Sequence, residues 1–285
     1  MKDESALVER LIARFDTRSP HVLLGIGDDA AVVRVFGDSV LSVDVSVEGT
    51  HFRRAFAPLD VLAERAFHAA MSDLAAMGAA PSCVLVSLVL PADLDDASLD
   101  TLLVGLARAA SELEAPIVGG NTSRGPCLVI NTTVIGVARA KPLLRSGARV
   151  GDRVYVTGPT GDRALGLEIL LRGASSLSEP ARGAPFVSAW CMPRARIAEG
   201  LALAPVATSA IDISDGLAKD LHRVLDASGV GARLWADALP RALDFDALAT
   251  ALGLDPVTLL IAGGEAYELL FTAPPDIAMP AWAHP

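Results

Sequence analysis

The sequence predicts an α+β protein with two domains, and three observations support this. The chain has 285 residues, enough for two domains with separate cores. Its first half reads as two strands, a helix, a strand, a helix and a strand, ending near residue 138. Residues 141–152 then contain proline, glycine and basic side chains, which is typical of a connection. We therefore expect an N-terminal α+β domain at residues 1–138 and a C-terminal one at residues 139–285.

The composition limits the classes of partner and location. Apolar residues make up 52% and charged residues 20% of the chain, as in a globular protein whose core, with 5% aromatics, is aliphatic. The net charge of −10 argues against non-specific nucleic-acid binding. No apolar run is long enough for a membrane span, and the N-terminus lacks signal-peptide character. Cys83, Cys127 and Cys191 are isolated, so we expect buried thiols, no membrane association and a cytoplasmic location.

Apolar periodicity predicts the elements of the first half. Residues 5–15 place apolar side chains on one helical stripe. Residues 58–77 form a longer helical pattern, which Gly78 ends as a C′ residue. A third helix is predicted at 99–114, and strands at 30–35, 40–45, 83–90 and 128–137.

The second half is predicted in the same way. Strands are expected at 153–157, 210–213 and 267–272, and helices at 161–171, 195–204 and 216–227. Residues 179–185, which are rich in proline and glycine, are expected to be a loop. The last thirteen residues contain four prolines and are expected to be loose or extended.

Residues 118–126, Val-Gly-Gly-Asn-Thr-Ser-Arg-Gly-Pro, are the first candidate for a binding segment. Gly119 and Gly120 would let backbone N–H groups approach a ligand, and the small polar side chains and arginine after them suit a phosphate. A polar turn without a ligand is an equal alternative, because Gly-Gly-Asn is ordinary turn chemistry.

Two acidic segments are candidates for binding a divalent cation. Asp44 lies in a valine-rich strand, where aspartate is uncommon, and alternation puts Ser42, Asp44 and Ser46 on one face. Oxygen ligands for a hard cation would explain this pattern. Asp28 and Asp29 repel each other unless a cation lies between them, and an exposed turn is the alternative.

Other carboxylates lack an obvious structural role. Asp73 lies near the C-terminus of an apolar helix, where its charge opposes the helix dipole. Asp212 stands between two isoleucines, whereas Ser214 or Asp215 could be the N-cap of the next helix. Glu265 follows a second pair of adjacent glycines. These clusters together predict a cleft lined by carboxylates and glycine-rich turns from both halves.

Phosphoryl transfer from a nucleoside triphosphate needs divalent cations and a backbone cradle of this kind. Residues 119–120 are not a P-loop, because no Gly-Lys-Ser/Thr follows, and the glycine loop and His-Arg-Asp triplet of protein kinases are missing from the sequence. A different ATP-binding fold is therefore predicted. His51 follows the valine-rich strand and, taken alone, is slightly more typical of a surface histidine.

Ordered motifs across residues 5–272 resemble those of the thiamine-monophosphate kinases, in the superfamily of aminoimidazole-ribonucleotide synthetase. The motifs are Gly-Ile-Gly-Asp-Asp-Ala (25–30), Val-Glu-Gly-Thr-His-Phe (47–52), Ser-Asp-Leu-Ala-Ala-Met-Gly-Ala (72–79), Arg-Ser-Gly-Ala-Arg-Val-Gly-Asp (145–152), Tyr-Val-Thr-Gly (155–158), Asp-Ile-Ser-Asp-Gly-Leu (212–217) and Gly-Gly-Glu (263–265). The resemblance implies an aminoimidazole-ribonucleotide synthetase-like fold that dimerises through the strands of its N-terminal domain. It also implies direct in-line transfer of phosphate from ATP to thiamine monophosphate, with Mg²⁺ and no covalent enzyme intermediate.

The resemblance assigns roles to individual residues but implies no catalytic side chain. Mg²⁺ would be held by Asp29, Ser42, Asp44, Asp73, Asp212 and Asp215. ATP would be contacted by Gly120, Asn121, Arg145 and Ser214. The thiamine phosphate would be faced by His51 and Glu265.

The chain departs from the family pattern at several positions. Val43 replaces a usual threonine, and Asn121 and Ala266 each replace a usual aspartate. The family also normally continues beyond the position of Pro285, to an aromatic residue that stacks on the thiamine. These departures leave two alternatives open. One is a weakened or inactive homologue that binds nucleotide or thiamine phosphate, and the other is a different ATP-dependent member of the superfamily.

Overall fold

The computed structural model of the chain describes residues 4–17, 19–26, 30–34, 37–173, 177 and 179–285. Two compact units are distinguished, Met1–Leu74 with Ala79–Arg139, and Ala75–Gly78 with Ala140–Pro285. Both units mix helices with sheets, which confirms the predicted α+β class.

The first unit is built on a four-stranded sheet with the strand order β3-β6-β4-β5. Strands β4 and β5 are parallel, and the other neighbours are antiparallel. A separate antiparallel pair joins β1 to β2. The elements in chain order are α1 (Glu4–Arg14), β1 (Val22–Leu24), β2 (Val32–Val33), β3 (Asp38–Val47), α2 (Leu59–Ala76), β4 (Ala79–Leu90), α3 (Asp96–Glu112), β5 (Ile117–Arg124) and β6 (Val129–Ala138).

Helix α2 lies over one face of this sheet. A Cβ atom on Gly136 of β6 would lie 3.0 Å from Leu74 Cδ2, which shows how closely the helix approaches the strand. Met71 and Leu74 are completely buried on the helix. Gly78 has φ +63° just after α2, as predicted for a helix-ending glycine. This packing brings the last turns of α2 against β3 and β6.

The prediction of a turn at residues 118–126 is wrong for most of the segment. Residues Ile117–Arg124 form β5, which pairs in parallel with β4. A Cβ atom on Gly120 would lie only 1.7 Å from the carbonyl oxygen of Val86 on β4. The glycine at position 120 is therefore required by the close approach of the neighbouring strand, a constraint that residue types alone do not reveal.

The second unit has an antiparallel three-stranded sheet with the order β7-β9-β8. One apolar cluster contains Tyr155 and Phe271, whose rings stack at 5.2 Å, and another contains Val156 and Leu270. The elements are β7 (Arg153–Val156), α4 (Asp162–Arg172), α5 (Pro180–Cys191), α6 (Ile197–Leu203), β8 (Ser209–Asp212), α7 (Leu217–Ser228), a 3-10 turn (Ala236–Ala238), α8 (Phe245–Ala251), α9 (Pro256–Ala262) and β9 (Leu269–Ala273).

The predicted loop at residues 179–185 is wrong, because α5 begins at Pro180. Proline is tolerated in the first turn of a helix, where its missing N–H would have no helical partner. Phe186 and Trp190, both almost fully buried, anchor the helix in the core. Helices α8 and α9 were not predicted.

The C-terminal segment is packed rather than loose. Trp282 meets Phe271 at a ring-centroid distance of 6.5 Å, and His284 exchanges two backbone hydrogen bonds of 2.9 Å with Val156. Apolar contact and strand pairing therefore override the high proline content.

All three cysteines are free thiols. Cys83 is buried as expected, whereas Cys127 and Cys191 are only partly buried. Among the described residues, no single helix is long and apolar enough to span a membrane. Helices α8 and α9 reach that length and composition only as a pair bent by 110°.

Candidate functional site

In the first unit, a hydrogen bond joins two of the predicted metal-ligating residues. Ser42 Oγ on β3 donates to Asp73 Oδ2 on α2 over 2.5 Å. Asp44 lies two residues further along β3, on the same face of the strand. Its Oδ1 atom accepts the backbone N–H of Val45 at 2.7 Å. Three oxygen-bearing side chains that are separate in sequence therefore share one side of the sheet.

The two faces of β3 have an unusual distribution of polarity. Ser42 and Asp44 lie on the partly buried face that α2 covers. Leu41, Val43 and Val45 lie on the opposite face and are 63%, 61% and 41% exposed. A strand at the edge of a sheet normally turns its apolar side chains inward. Here the polar face is turned inward instead, which fits a binding function for that face.

His51 lies just after the end of β3. Its Nδ1 atom accepts the backbone N–H of Val47 at 3.0 Å, so the neutral ring carries its proton on Nε2. The backbone N–H of His51 in turn donates to the carbonyl of Val47 at 2.9 Å. These bonds fix an exposed imidazole close to the polar segment of β3.

Gly120 and Asn121 are not brought next to Asp44 within this unit. Strands β3 and β5 are the two edges of the sheet, so Asp44 and Gly120 are three strand spacings, or about 14 Å, apart. Across the sheet, Asn121 on β5 is opposite Ser87 on β4, which is opposite Asn131 on β6. Asn131 is in turn opposite Val45 on β3. Its side chain is therefore on the open face, opposite to Asp44.

In the second unit, β8 ends at Asp212 and continues into Ile213-Ser214-Asp215. This segment carries the predicted Mg²⁺ ligands Asp212 and Asp215 and the predicted ATP contact Ser214. Asp212 is buried with 7% exposure. Neither Ser214 nor Asp215 caps helix α7, so the N-cap alternative for this segment is wrong. Asp220 instead accepts the backbone N–H groups of Asp215 and Gly216 at 2.9 and 3.2 Å. Burial raises the pKa of this carboxyl group.

Asp215 itself is engaged by two cations of helix α7. Lys219 Nζ lies 2.9 Å from Asp215 Oδ2, and Arg223 forms a second ion pair with the same oxygen. The hydrogen bond from Lys219, with that from Arg223, lowers the pKa of Asp215 against the opposing effect of burial. Asp215 is therefore ionised at neutral pH, and a metal ion would compete with these two side chains.

Arg145 is held close to β8 through its backbone. The carbonyl of the preceding Leu144 accepts the N–H of Ala210 at 2.9 Å. Ser228, at the end of α7, donates to the carbonyl of Arg145 and accepts the N–H of Gly147 at 3.1 Å. The exposed side chain of Arg145 thus emerges from a fixed loop beside the strand that carries Asp212.

Glu265 is also fixed against this strand end. Its backbone N–H donates to the carbonyl of Ser214 at 2.8 Å, and its Oε2 atom accepts the indole N–H of Trp190 at 3.0 Å. Ala266, at a position where an aspartate was expected, is 1% exposed and packs in an apolar cluster with Ile213. Its side chain is therefore part of the core and not a ligand in this chain.

The residues of each unit fit Mg²⁺ by the chemistry of their donors, which are carboxylate and hydroxyl oxygens. No group of three or more His, Cys, Asp or Glu side chains with metal-binding spacing is found among the described residues. Asp28 and Asp29 lie outside those residues. The hydroxyl of Ser42, which donates to the Asp73 carboxylate, is a further oxygen donor on the face of β3 that carries Asp44.

Several residues around these segments were not identified from the sequence. Asp220 and Trp190 position predicted ligands, and Glu268 forms a buried ionic cluster with two arginines. The sequence contains one signal for Asp220, an acidic residue in the first turn of α7 that can reach back to the helix start. The partners of Trp190 and Glu268 are 75 and 72 residues away, so no local pattern marks them.

Comparison with known proteins identifies the family of the chain. Models of the AIR synthase related protein family match residues 27–138, as its N-terminal domain, and residues 149–279, as its C-terminal domain. The fold and the site thus define an AIR synthase-related protein.

The curated thiamine-monophosphate kinase of Salmonella typhimurium is 37% identical over 276 residues, covering 95% of this chain and 82% of the relative. The solved thiamine-monophosphate kinase of Stenotrophomonas maltophilia superposes with a TM-score of 0.84 at 31% identity, covering 96% and 86% of the two chains. The structure of AaThiL complexed with AMPPCP and TMP has a TM-score of 0.79 at 31% identity, covering 95% and 84%. The chain belongs to the thiamine-monophosphate kinase family, which confirms the resemblance found in its motifs.

Proposed function

We propose that this chain transfers the γ-phosphoryl group of ATP to thiamine monophosphate, giving thiamine diphosphate and ADP. The observation that carries the proposal is the similarity to thiamine-monophosphate kinases over 95% of the chain. A related structure holds AMPPCP and TMP together, which supports ATP as the phosphate donor and thiamine monophosphate as the acceptor.

In this reaction a phosphate oxygen of thiamine monophosphate attacks the γ-phosphorus of ATP. A new P–O bond forms as the bond from the γ-phosphorus to the β,γ-bridging oxygen breaks, and ADP leaves with the electron pair. The protein's part is to orient the two phosphates and to balance their charge. We assign Gly120, Asn121, Arg145 and Ser214 to ATP, and His51 and Glu265 to the thiamine phosphate.

We assign Ser42, Asp44 and Asp73 in the first unit to Mg²⁺, together with Asp29, which lies outside the described residues. Asp212 and Asp215 are assigned to Mg²⁺ from the second unit. The hydrogen bond from Ser42 to Asp73 supports the first group, because two of its oxygen donors lie 2.5 Å apart. Bound Mg²⁺ would neutralise phosphate charge during the transfer.

We also propose a homodimer formed through the open face of the β3-β6-β4-β5 sheet. The exposed Leu41, Val43 and Val45 support this assignment, since a row of apolar side chains on an edge strand is unfavourable in water. A second copy would cover this apolar row.

A cytoplasmic location is the last part of the proposal. It is supported by the three free cysteines, because exposed or partly exposed thiols persist most readily in a reducing compartment.

The direct test incubates purified protein with ATP, thiamine monophosphate and a series of Mg²⁺ concentrations, and measures thiamine diphosphate and ADP by chromatography. We expect equal amounts of both products, and none after chelation by EDTA. Thiamine diphosphate that does not form at any Mg²⁺ concentration would contradict the proposal. The uncharged Asn121 favours the alternative of an inactive homologue that still binds ATP. Calorimetry with ATP distinguishes such a homologue from a chain that does not bind ATP.

A further inference from the structure

Trp190, the penultimate residue of α5, is completely buried and directs its only polar group at Glu265. The indole Nε1–H donates to Glu265 Oε2 at 3.0 Å. An indole can donate but cannot accept a hydrogen bond, and a buried one retains its orientation because its rotamer is locked by packing. The bond therefore fixes the direction of a carboxylate that is itself only partly buried.

The backbone of this loop is held in an unfavourable conformation. Glu265 and Tyr267 have φ values of +61° and +48°, a region that residues other than glycine seldom occupy. Their N–H groups donate to the carbonyls of Ser214 and Ile213, each at 2.8 Å. Such conformations persist only where the surroundings impose them, and they concentrate at functional sites.

An ionic cluster anchors the other end of the loop. Glu268 is 1% exposed and accepts hydrogen bonds from Arg196 at 2.7 and 2.8 Å and from Thr157 at 2.6 Å. Arg163 contacts Glu268 and also donates to the carbonyl of Ala266. Every residue from Glu265 to Glu268 therefore has a fixed backbone or side-chain partner.

We propose that Trp190 is a positioning residue that orients the Glu265 carboxylate toward the thiamine part of the substrate. The inference rests on the proposed function, in which Glu265 faces thiamine monophosphate. The inference adds Trp190, which contacts no substrate, to the proposed site. It predicts that the indole N–H affects the binding of thiamine monophosphate and not that of ATP. Trp190 itself takes no part in the phosphoryl transfer.

The test replaces Trp190 by 3-benzothienylalanine, introduced at an amber codon, in which sulfur replaces the N–H and the shape of the ring system is retained. We expect the KM for thiamine monophosphate to rise about tenfold, as is typical for loss of one hydrogen bond to a charged group. The kcat and the KM for ATP should change less than about twofold. The same replacement at Trp235, which is 66% exposed, is the matched control.

A double-mutant cycle identifies the group through which Trp190 acts. In a Glu265→Gln background the benzothienyl replacement should raise the KM for thiamine monophosphate by much less than tenfold. Two results would overturn the role of Trp190: an unchanged KM for thiamine monophosphate in the wild-type background, or equal increases in the KM values for thiamine monophosphate and for ATP. Wild-type protein that forms no thiamine diphosphate would instead overturn the proposed function, so the two failures are distinguishable.

Discussion

The hydroxyl of Ser42 donates a 2.5 Å hydrogen bond to the Asp73 carboxylate, joining the edge strand β3 to the last turns of α2. The negative charge of Asp73 lies near the C-terminal end of α2, where the helix dipole is also negative. Groups outside the helix must therefore stabilise this carboxylate. Ser42 is one such group. The bond places a carboxylate and a hydroxyl on the face that also carries Asp44, as expected for residues that share a function.

Replacement of Asp73 by asparagine should impair the use of Mg²⁺. We expect kcat/KM to fall by about 100-fold and the Mg²⁺ concentration for half-maximal activity to rise, because one carboxylate of the proposed site loses its charge. Steady-state kinetics over a Mg²⁺ series measures both effects. Asp38→Asn is the control, since it removes the same charge at the start of β3. A similar loss in both variants would argue for a general electrostatic effect.

Replacement of Asn121 by aspartate should lower the Mg²⁺ concentration needed for turnover. A carboxylate adds charge where the amide offers only a carbonyl oxygen. Asn121→Gln is the control, because it changes the side chain at the same position and adds no charge. Equal responses of the two variants, or none from Asn121→Asp, would exclude a metal-related role for position 121.

Replacement of Val43 by aspartate should dissociate the proposed homodimer. Val43 is 61% exposed, between Leu41 and Val45 in the apolar row of edge strand β3, and an unpaired charge buried there by a second copy would be costly. Light scattering coupled to size exclusion gives the mass directly. Leu243→Asp, at an 89% exposed site in the other unit, should leave the mass unchanged. A wild-type chain that is monomeric at micromolar concentration would refute this interface.

Replacement of Glu268 by glutamine should destabilise the protein by about 3 kcal/mol at pH 7, because Arg163 and Arg196 lose a buried counter-charge. Burial opposes ionisation of Glu268, but the hydrogen bond from Arg196 and the charges of both arginines outweigh it. They hold the pKa of Glu268 below its usual value of 4.5.

The pH dependence follows from this shift. Ionised Glu268 stabilises the folded state fully above about pH 4.5, and the contribution is lost as the pH falls through the lower folded-state pKa. The difference in unfolding free energy between the wild type and Glu268→Gln should therefore shrink below pH 4.5 in urea titrations. Glu168→Gln, which breaks an exposed pair with Arg172, should show little difference at any pH. A difference for Glu268→Gln that stays constant down to pH 3 would contradict the assignment.

Most regular elements were predictable from local patterns. The apolar periodicity of α2 and α3 and the alternation in β3 are strong signals, because each element buries one face. The strand character of residues 117–124 was missed, since two glycines and several small polar residues carry little strand propensity. Pro180 suggested a loop, although proline is equally suited to a helix start.

The sequence by itself determined the family, the two α+β halves and the residues proposed for ATP, Mg²⁺ and thiamine phosphate, because these lie in short ordered motifs. Only the tertiary structure decided which of those residues meet. It joined Ser42 to Asp73, fixed Glu265 on Ser214 and Trp190, and put Asn121 on the face opposite to Asp44. Strand register and long-range hydrogen bonds decide such contacts, and they depend on pairing between segments far apart in the chain.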